Sequence, residues 1–168
     1  MEAILYTSNT GSTAEYAQLL GKELNLPVYS IKQAKNKVSC GSEIIYLGWI
    51  MAGEIKGYKK TVKLYKVRAV CGVGMGQTGT QLKEIRDKNS IPQRIPLFTV
   101  QGNFDVKKLH GMYRFMMNVM VKTAGKGLAA KTNRTLEEDD MLDMMVNGGK
   151  RVSLQNMKAI TEWYKNIH

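Results

Sequence analysis

The chain has 168 residues, a length that favours one domain over two. With 43% hydrophobic and 23% charged residues it is composed like an ordinary globular protein, which excludes disorder along its whole length. Lys and Arg number 25 against 14 Asp and Glu, and the resulting +11 attracts nucleic acid, anionic lipid, a phosphorylated cofactor or an acidic protein without choosing among them.

The first 100 residues alternate between strand-like and helix-like segments. Ala3 to Thr7 reads as a buried strand, and from Gly11 a helical pattern runs to about Leu24, with Ala14, Ala17, Leu20 and Leu24 at intervals of three or four. Pro27 to Ile31 is a short second strand and Glu43 to Gly48 an apolar, β-branched third. The pattern predicts a helix over Ile55 to Tyr65, a fourth strand over Val67 to Val73, a helix over Thr80 to Lys88 and a fifth strand over Ile95 to Val100. A Met-rich segment from 105 to 124, an irregular stretch and a last helix near Ser153 to Asn166 complete the chain. Apolar strands joined by helix-length connections imply right-handed βαβ units on a parallel sheet covered on both faces. In such sheets ligands bind beyond the carboxyl ends of the strands, which directs attention to the loops after strands one, three and four.

The first of these loops, Thr7-Ser8-Asn9-Thr10-Gly11-Ser12-Thr13, is built entirely of hydroxyl residues, an amide and a glycine. Backbone N–H groups and small hydroxyls ahead of a helix make an anion cradle suited to a terminal phosphate monoester. No lysine sits in the loop and the pattern G-x-x-x-x-G-K-[ST] is absent, which favours a held cofactor over a reacting nucleotide. A polar helix cap reads the same way from these residues alone.

Ser8-Asn9-Thr10-Gly11-Ser12-Thr13 after an apolar first strand resembles the phosphate loop of the flavodoxins, [ST]-x-T-G-x-T, which holds the phosphate of flavin mononucleotide (FMN). The five-strand alternation resembles the same family, and the basic, Met-rich stretch Gly102 to Lys126 is similar to flavodoxin-domain proteins related to menaquinone-dependent protoporphyrinogen dehydrogenase. The resemblance covers most of the chain. It implies a flavodoxin-like α/β sandwich over 1–168, with a five-stranded parallel sheet in the order 2-1-3-4-5, a helical and loop insertion at 105–135, and FMN as cofactor.

The other two loops then acquire roles. Gly48-Trp49-Ile50-Met51-Ala52-Gly53 is the place where the resemblance puts a flavin-flanking aromatic, and Trp49 is suited to cover a ring; as a residue at a strand end it is also suited to the core. Gly74-Met75-Gly76-Gln77-Thr78-Gly79 fits the dinucleotide fingerprint G-x-G-x-x-G. It follows the fourth strand rather than the first, however, and Arg94-Ile95-Pro96-Leu97 stands where the ribose-binding acid belongs. A second loop against the flavin is the better reading. It lacks the tyrosine that many flavodoxins stack there, so either Met75 covers that face or the face is open to a substrate. Familiar short-chain flavodoxins are acidic, and a basic surround stabilises the anion formed on two-electron reduction; the resemblance therefore implies a poorer low-potential carrier.

In the segment 105 to 125, Leu109, Met112, Tyr113, Met116 and Met120 share one helical stripe, widened by Phe115 and Val119 on one side and Val106 and Met117 on the other. Lys107, Arg114, Asn118 and Lys122 face away. Such a helix packs on the core by its apolar face, or lies on an anionic membrane or against a quinone or porphyrin. Glu137 to Asp140 reads as the first turn of a short helix, Cys71 as core packing and His110 as solvated. Two cysteines and two histidines support neither a disulfide framework nor a protein-held catalytic metal.

The expected function is FMN-dependent electron transfer to a redox partner protein, with an oxidoreductase of the protoporphyrinogen dehydrogenase type, acting with a quinone or similar acceptor, as the alternative. No catalytic acid or base stands out. A nucleic-acid role lacks a basic-aromatic platform. Without a long apolar run or a signal-like N-terminus, a cytoplasmic location is expected, with peripheral contact at an anionic inner-membrane face through 105–125.

Overall fold

The computed structural model describes residues 1–103 and 111–167, with only part of the side chains between 111 and 147. Five strands, β1 (Ala3–Thr7), β2 (Val28–Ser30), β3 (Glu43–Met51), β5 (Lys66–Gly74) and β6 (Leu97–Gln101), pair in parallel in the order β2-β1-β3-β5-β6. A short β4 (Glu54–Ile55) adds antiparallel to β3. This is the expected order 2-1-3-4-5 with one extra strand.

The apolar runs explain the arrangement. Side chains alternate across a strand, so β3 sends Ile44 and Tyr46 to one face and Ile45 and Leu47 to the other, and both sets are fully buried. On the face of Ile45, helices α1 (Ser12–Leu24) and α7 (Lys158–Asn166, after a 3-10 turn at Leu154–Met157) bury Tyr16, Ala17, Leu20, Met157 and Ile160. On the face of Tyr46 lie α2 (Ile31–Ala34), α3 (Tyr58–Thr61) and α4 (Leu82–Asn89), with Ala34, Tyr58 and Ile85 in the core. Helix α1 closes tightly on β2: a Cβ at Gly21 would stand 2.2 Å from Val28 Cγ2.

Two expectations need correction. β3 runs three residues past Gly48, because β4 folds back on it with Ile50 opposite Ile55 and Met51 opposite Glu54. Ala52 and Gly53, both at positive φ (49° and 75°), make the two-residue turn whose twist matches a hairpin. The helix expected over 55–65 is consequently a single turn: Ile55 belongs to β4, and Gly57 (φ 88°) breaks the chain's direction before Tyr58.

After β6 come α5 (Gly111–Ala130) and α6 (Leu136–Asn147), which pack against each other. The acidic run does open α6, where Thr135 and Glu138 form a reciprocal capping box. Met144 and Met145 of α6 are buried, whereas Phe115 and Val119 of α5 are 69% and 44% exposed. These two residues do not widen a packed face as the periodicity suggests. The expectations for residues 105–110 and for the side chains of Met112, Tyr113, Arg114, Met116, Met117 and Met120 lie outside the described residues. Among the described residues, no helix is long and apolar enough to cross a membrane.

Candidate functional site

The sheet register aligns the strand ends from which the three candidate segments leave. Thr7 is opposite Gly48, Gly48 opposite Gly72, and Gly74 opposite Gln101. Beyond this edge the residues 8–13 run into α1. Gly11 takes a left-handed conformation (φ 104°) with open space where a Cβ would stand, and its N–H donates to Ser8 Oγ at 3.1 Å. Ser12 and Thr13 are buried, Asn9 is exposed and Thr10 half-buried.

The first turn of α1 supplies the donors. Among the described residues no acceptor faces the amides of Thr10, Ser12, Thr13 and Ala14; the first intrahelical bond runs from Glu15 N–H to the Gly11 carbonyl at 2.9 Å. Helix ends leave such N–H groups unpaired, and the helix dipole adds positive potential there. The amides, with the hydroxyl of Thr10 and the side-chain amide of Asn9, which have no partner among the described residues, fit a phosphate monoester. Thr7 does not join them: its hydroxyl and that of Tyr46, 2.9 Å apart, both donate to the Lys56 carbonyl at 2.6 Å.

The second segment is a hairpin rather than a loop. Gly48, Trp49, Ile50 and Met51 are strand, and Ala52 and Gly53 are the turn. Gly48 is buried between β1 and β5 and makes room for packing, since a Cβ there would meet Ile55 Cγ2 at 2.5 Å. Gly72 and Gly74 serve Ile50 in the same way, with Ile50 Cδ1 at 2.7 and 3.3 Å from their hypothetical Cβ atoms. The hairpin backbone is satisfied from α4: buried Asn89 accepts from Ile55 N–H at 2.8 Å and donates to the carbonyls of Gly53 (2.8 Å) and Ile85 (2.7 Å). By strand alternation Trp49, half-buried, lies on the α1 side of the sheet, in register with Val73.

The third segment is tied to β6. Gly79 N–H donates to the Thr99 carbonyl (2.9 Å), Gln101 N–H to Thr78 Oγ1 (3.1 Å) and Gln101 Nε2 to the Met75 carbonyl (3.3 Å). Met75, Gly76 and Gln77 are half-buried, while Thr78 and Gly79 are exposed. The order of these residues is therefore set by β6 rather than by the glycines alone.

A model of the flavodoxin domain family matches residues 3–129. The chain belongs to the flavodoxin domain family. Comparison with curated proteins and with solved structures gives no match. A flavodoxin domain suggests a flavin-binding redox protein, and such domains usually bind FMN. Among the described residues no cluster of His, Cys, Asp or Glu could hold a metal ion.

The sequence reading missed the fifth strand end of this flavodoxin domain. Gln101, Gly102 and Asn103 pass against α1: a Cβ on Gly102 would stand 3.3 Å from Ser12 Cβ, and Asn103 N–H donates to Ser12 Oγ at 3.1 Å. Buried Tyr16 donates to the Gln101 carbonyl at 2.6 Å and receives Asn156 Nδ2 at 2.8 Å. Gln101 Nε2 also reaches Asp140 (2.6 Å), which pairs with Arg151 (3.1 Å), so α6 is fastened to the same corner. A glycine and an asparagine directly after an apolar strand are the signal that marks this place.

Among the described residues the positive excess is not concentrated here. Lys56 is bonded to Glu54 at 2.6 Å, and Arg151 lies 3.1 and 3.4 Å from Asp140 and Asp143. Lys35, Lys37, Lys60 and Lys63 are exposed on the segments around α2 and α3. Cys71 is buried and its thiol is pushed up to about 12 by burial, which fits packing rather than nucleophilic chemistry.

Proposed function

We propose that this flavodoxin-domain protein binds FMN and carries electrons through it to a partner protein. The observation that carries the reading is the set of amides and polar side chains at residues 9–14 without a partner among the described residues, at the start of the 13-residue helix α1 and beside the aligned ends of β1, β3 and β5. Residues Ser8 to Thr13 hold the phosphate. Trp49 with its hairpin, and Met75-Gly76-Gln77, flank the ring. When bound, the flavin supplies one- and two-electron redox chemistry. The chain's own part is to position and shield it. Ser8 keeps Gly11 in its left-handed turn, which leaves the next amides pointing outward. Trp49 excludes water from one side.

The test is titration of the purified protein with FMN and with riboflavin, followed by flavin fluorescence. A phosphate cradle makes FMN bind at least about tenfold more tightly. Equal binding, or a protein that stays colourless with excess FMN, overturns the reading.

One observation favours the oxidoreductase alternative. On α5 the exposed Phe115 and Val119 continue at helical spacing into exposed Lys122 and Lys126, an apolar-then-basic stripe that suits docking on an anionic membrane or a quinone. FMN-dependent oxidation of a porphyrinogen with a quinone acceptor separates the enzyme from the carrier.

A further inference from the structure

Asn103, half-buried just after β6, concentrates an unusual number of long-range hydrogen bonds. Its N–H donates to Ser12 Oγ at 3.1 Å. Its side-chain Oδ1 accepts from the amides of Arg151 (2.6 Å) and Val152 (3.0 Å). Its Nδ2 donates to Glu15 Oε2 at 3.2 Å. One residue thus joins the end of the sheet, the first turn of α1 and the segment leading to α7.

Two consequences fall on the cradle. Because Ser12 Oγ accepts from Asn103, its own proton is left to donate, and its internal alternative, the Asn103 carbonyl at 3.4 Å, is weak. The second concerns Glu15, a carboxylate in the first turn of a helix whose leading amides are unpaired. Such a carboxylate is drawn to the same positive helix end that a phosphate uses. Nδ2 of Asn103 holds it instead.

We propose that Asn103 is a positioning residue for the phosphate cradle: its backbone N–H, which any residue at this place keeps, orients the Ser12 hydroxyl, and its side-chain amide keeps the Glu15 carboxylate from competing with the bound phosphate. The inference rests on the FMN reading above.

The test compares FMN with riboflavin on the full chain. Asn103→Ala weakens FMN at least about tenfold and riboflavin by less than about twofold, since only FMN uses the cradle. Glu15→Gln, added to Asn103→Ala, recovers part of the lost FMN affinity. A general loosening of the fold would weaken both flavins and would not respond to Glu15. Far-UV circular dichroism checks folding. Should Asn103→Ala not fold, Asn103→Ser replaces it: the variant adds no charge, lacks the amide that donates to Glu15, and is expected to show the same selective loss and the same rescue. Equal loss of both flavins, no loss, or no rescue by Glu15→Gln overturns the role of Asn103. A wild-type protein that does not prefer FMN overturns the FMN reading and this inference together, whereas a wild type that prefers FMN beside a variant that still does removes only the inference.

Discussion

The two flanks of the candidate cradle are held in different ways. On the β3 side the hairpin is fixed by buried groups: Ile50 over Gly72 and Gly74, Ile55 over Gly48, Asn89 on the hairpin backbone, and the hydroxyls of Thr7 and Tyr46 on one carbonyl. On the β6 side the fastening is a largely half-exposed polar network, in which Gln101 reaches Asp140 and Asp140 reaches Arg151, while Asn103 bonds to buried Ser12 and to exposed Glu15. Shape and buried hydrogen bonds are intolerant of change, because a misfit or an orphaned group costs its full penalty. A water-accessible polar chain loses little when a link is cut, because solvent replaces the partner. The β3 flank therefore carries more of the stability, and the exposed links of the β6 flank can change at smaller cost to the fold.

The largest expected effect breaks the β3 flank. Gly57 combines φ 88° with a hypothetical Cβ 2.2 Å from the Tyr46 hydroxyl and 2.7 Å from Thr7 Cγ2. Gly57→Ala is expected to cost roughly 3 kcal/mol and to lower Tm by roughly 10 °C, measured by thermal denaturation of the flavin-free protein.

A second, intermediate effect distinguishes the flanks by their buried tyrosines. Burial pushes the Tyr46 hydroxyl up from 10.0 to about 12, and raises Tyr16 on the opposite flank in the same direction. A phenol whose folded pKa is raised adds stability that is fully present below pH 10, where both states are protonated. Above that the unfolded chain releases its proton first, and the contribution is lost as pH rises through about 12. The slope is roughly 1.4 kcal/mol per pH unit. Cys71 behaves alike, from 9.0 to about 12, so the comparison is made in a Cys71→Ala background. Denaturant unfolding between pH 9 and 12 should lose more of its alkaline slope in Tyr46→Phe than in Tyr16→Phe. Equal losses would make the flanks alike.

The smallest effect lies on the β6 flank. Arg151→Ala removes partly exposed pairs to Asp140 and Asp143 and is expected to cost about 1 kcal/mol or less. Its signature is local: faster amide hydrogen exchange in α6 with little change at β3.

The sheet order was legible because each parallel strand is a short apolar run with a helix-length interval behind it, as in Ile44 to Leu47 and Ala69 to Val73. The polar turn ahead of α1 was legible because its chemistry is local: Ser8 to Thr13 are six consecutive small hydroxyl, amide or glycine residues. The hairpin was not, since Ala52-Gly53 is a weaker turn signal than Asn-Gly, and Tyr58, Thr61 and Tyr65 keep helical spacing beyond the single turn that forms. Asn103 could not be assigned from sequence. Its partners stand 91, 88, 48 and 49 positions away, and no periodicity encodes such separations.

The hollow over Gly48 and Gly72 has a kinetic consequence. It is filled by Ile50 and Ile55, five positions apart across a tight turn, rather than by a distant helix. Contacts so close along the chain assemble on the microsecond scale of an isolated hairpin, whereas the parallel ladder from β3 to β5 has to wait for a crossover to close. This corner of the sheet is thus able to take shape before the strands it will cover have met, which makes the turn at Ala52–Gly53 an early organiser of the folding route.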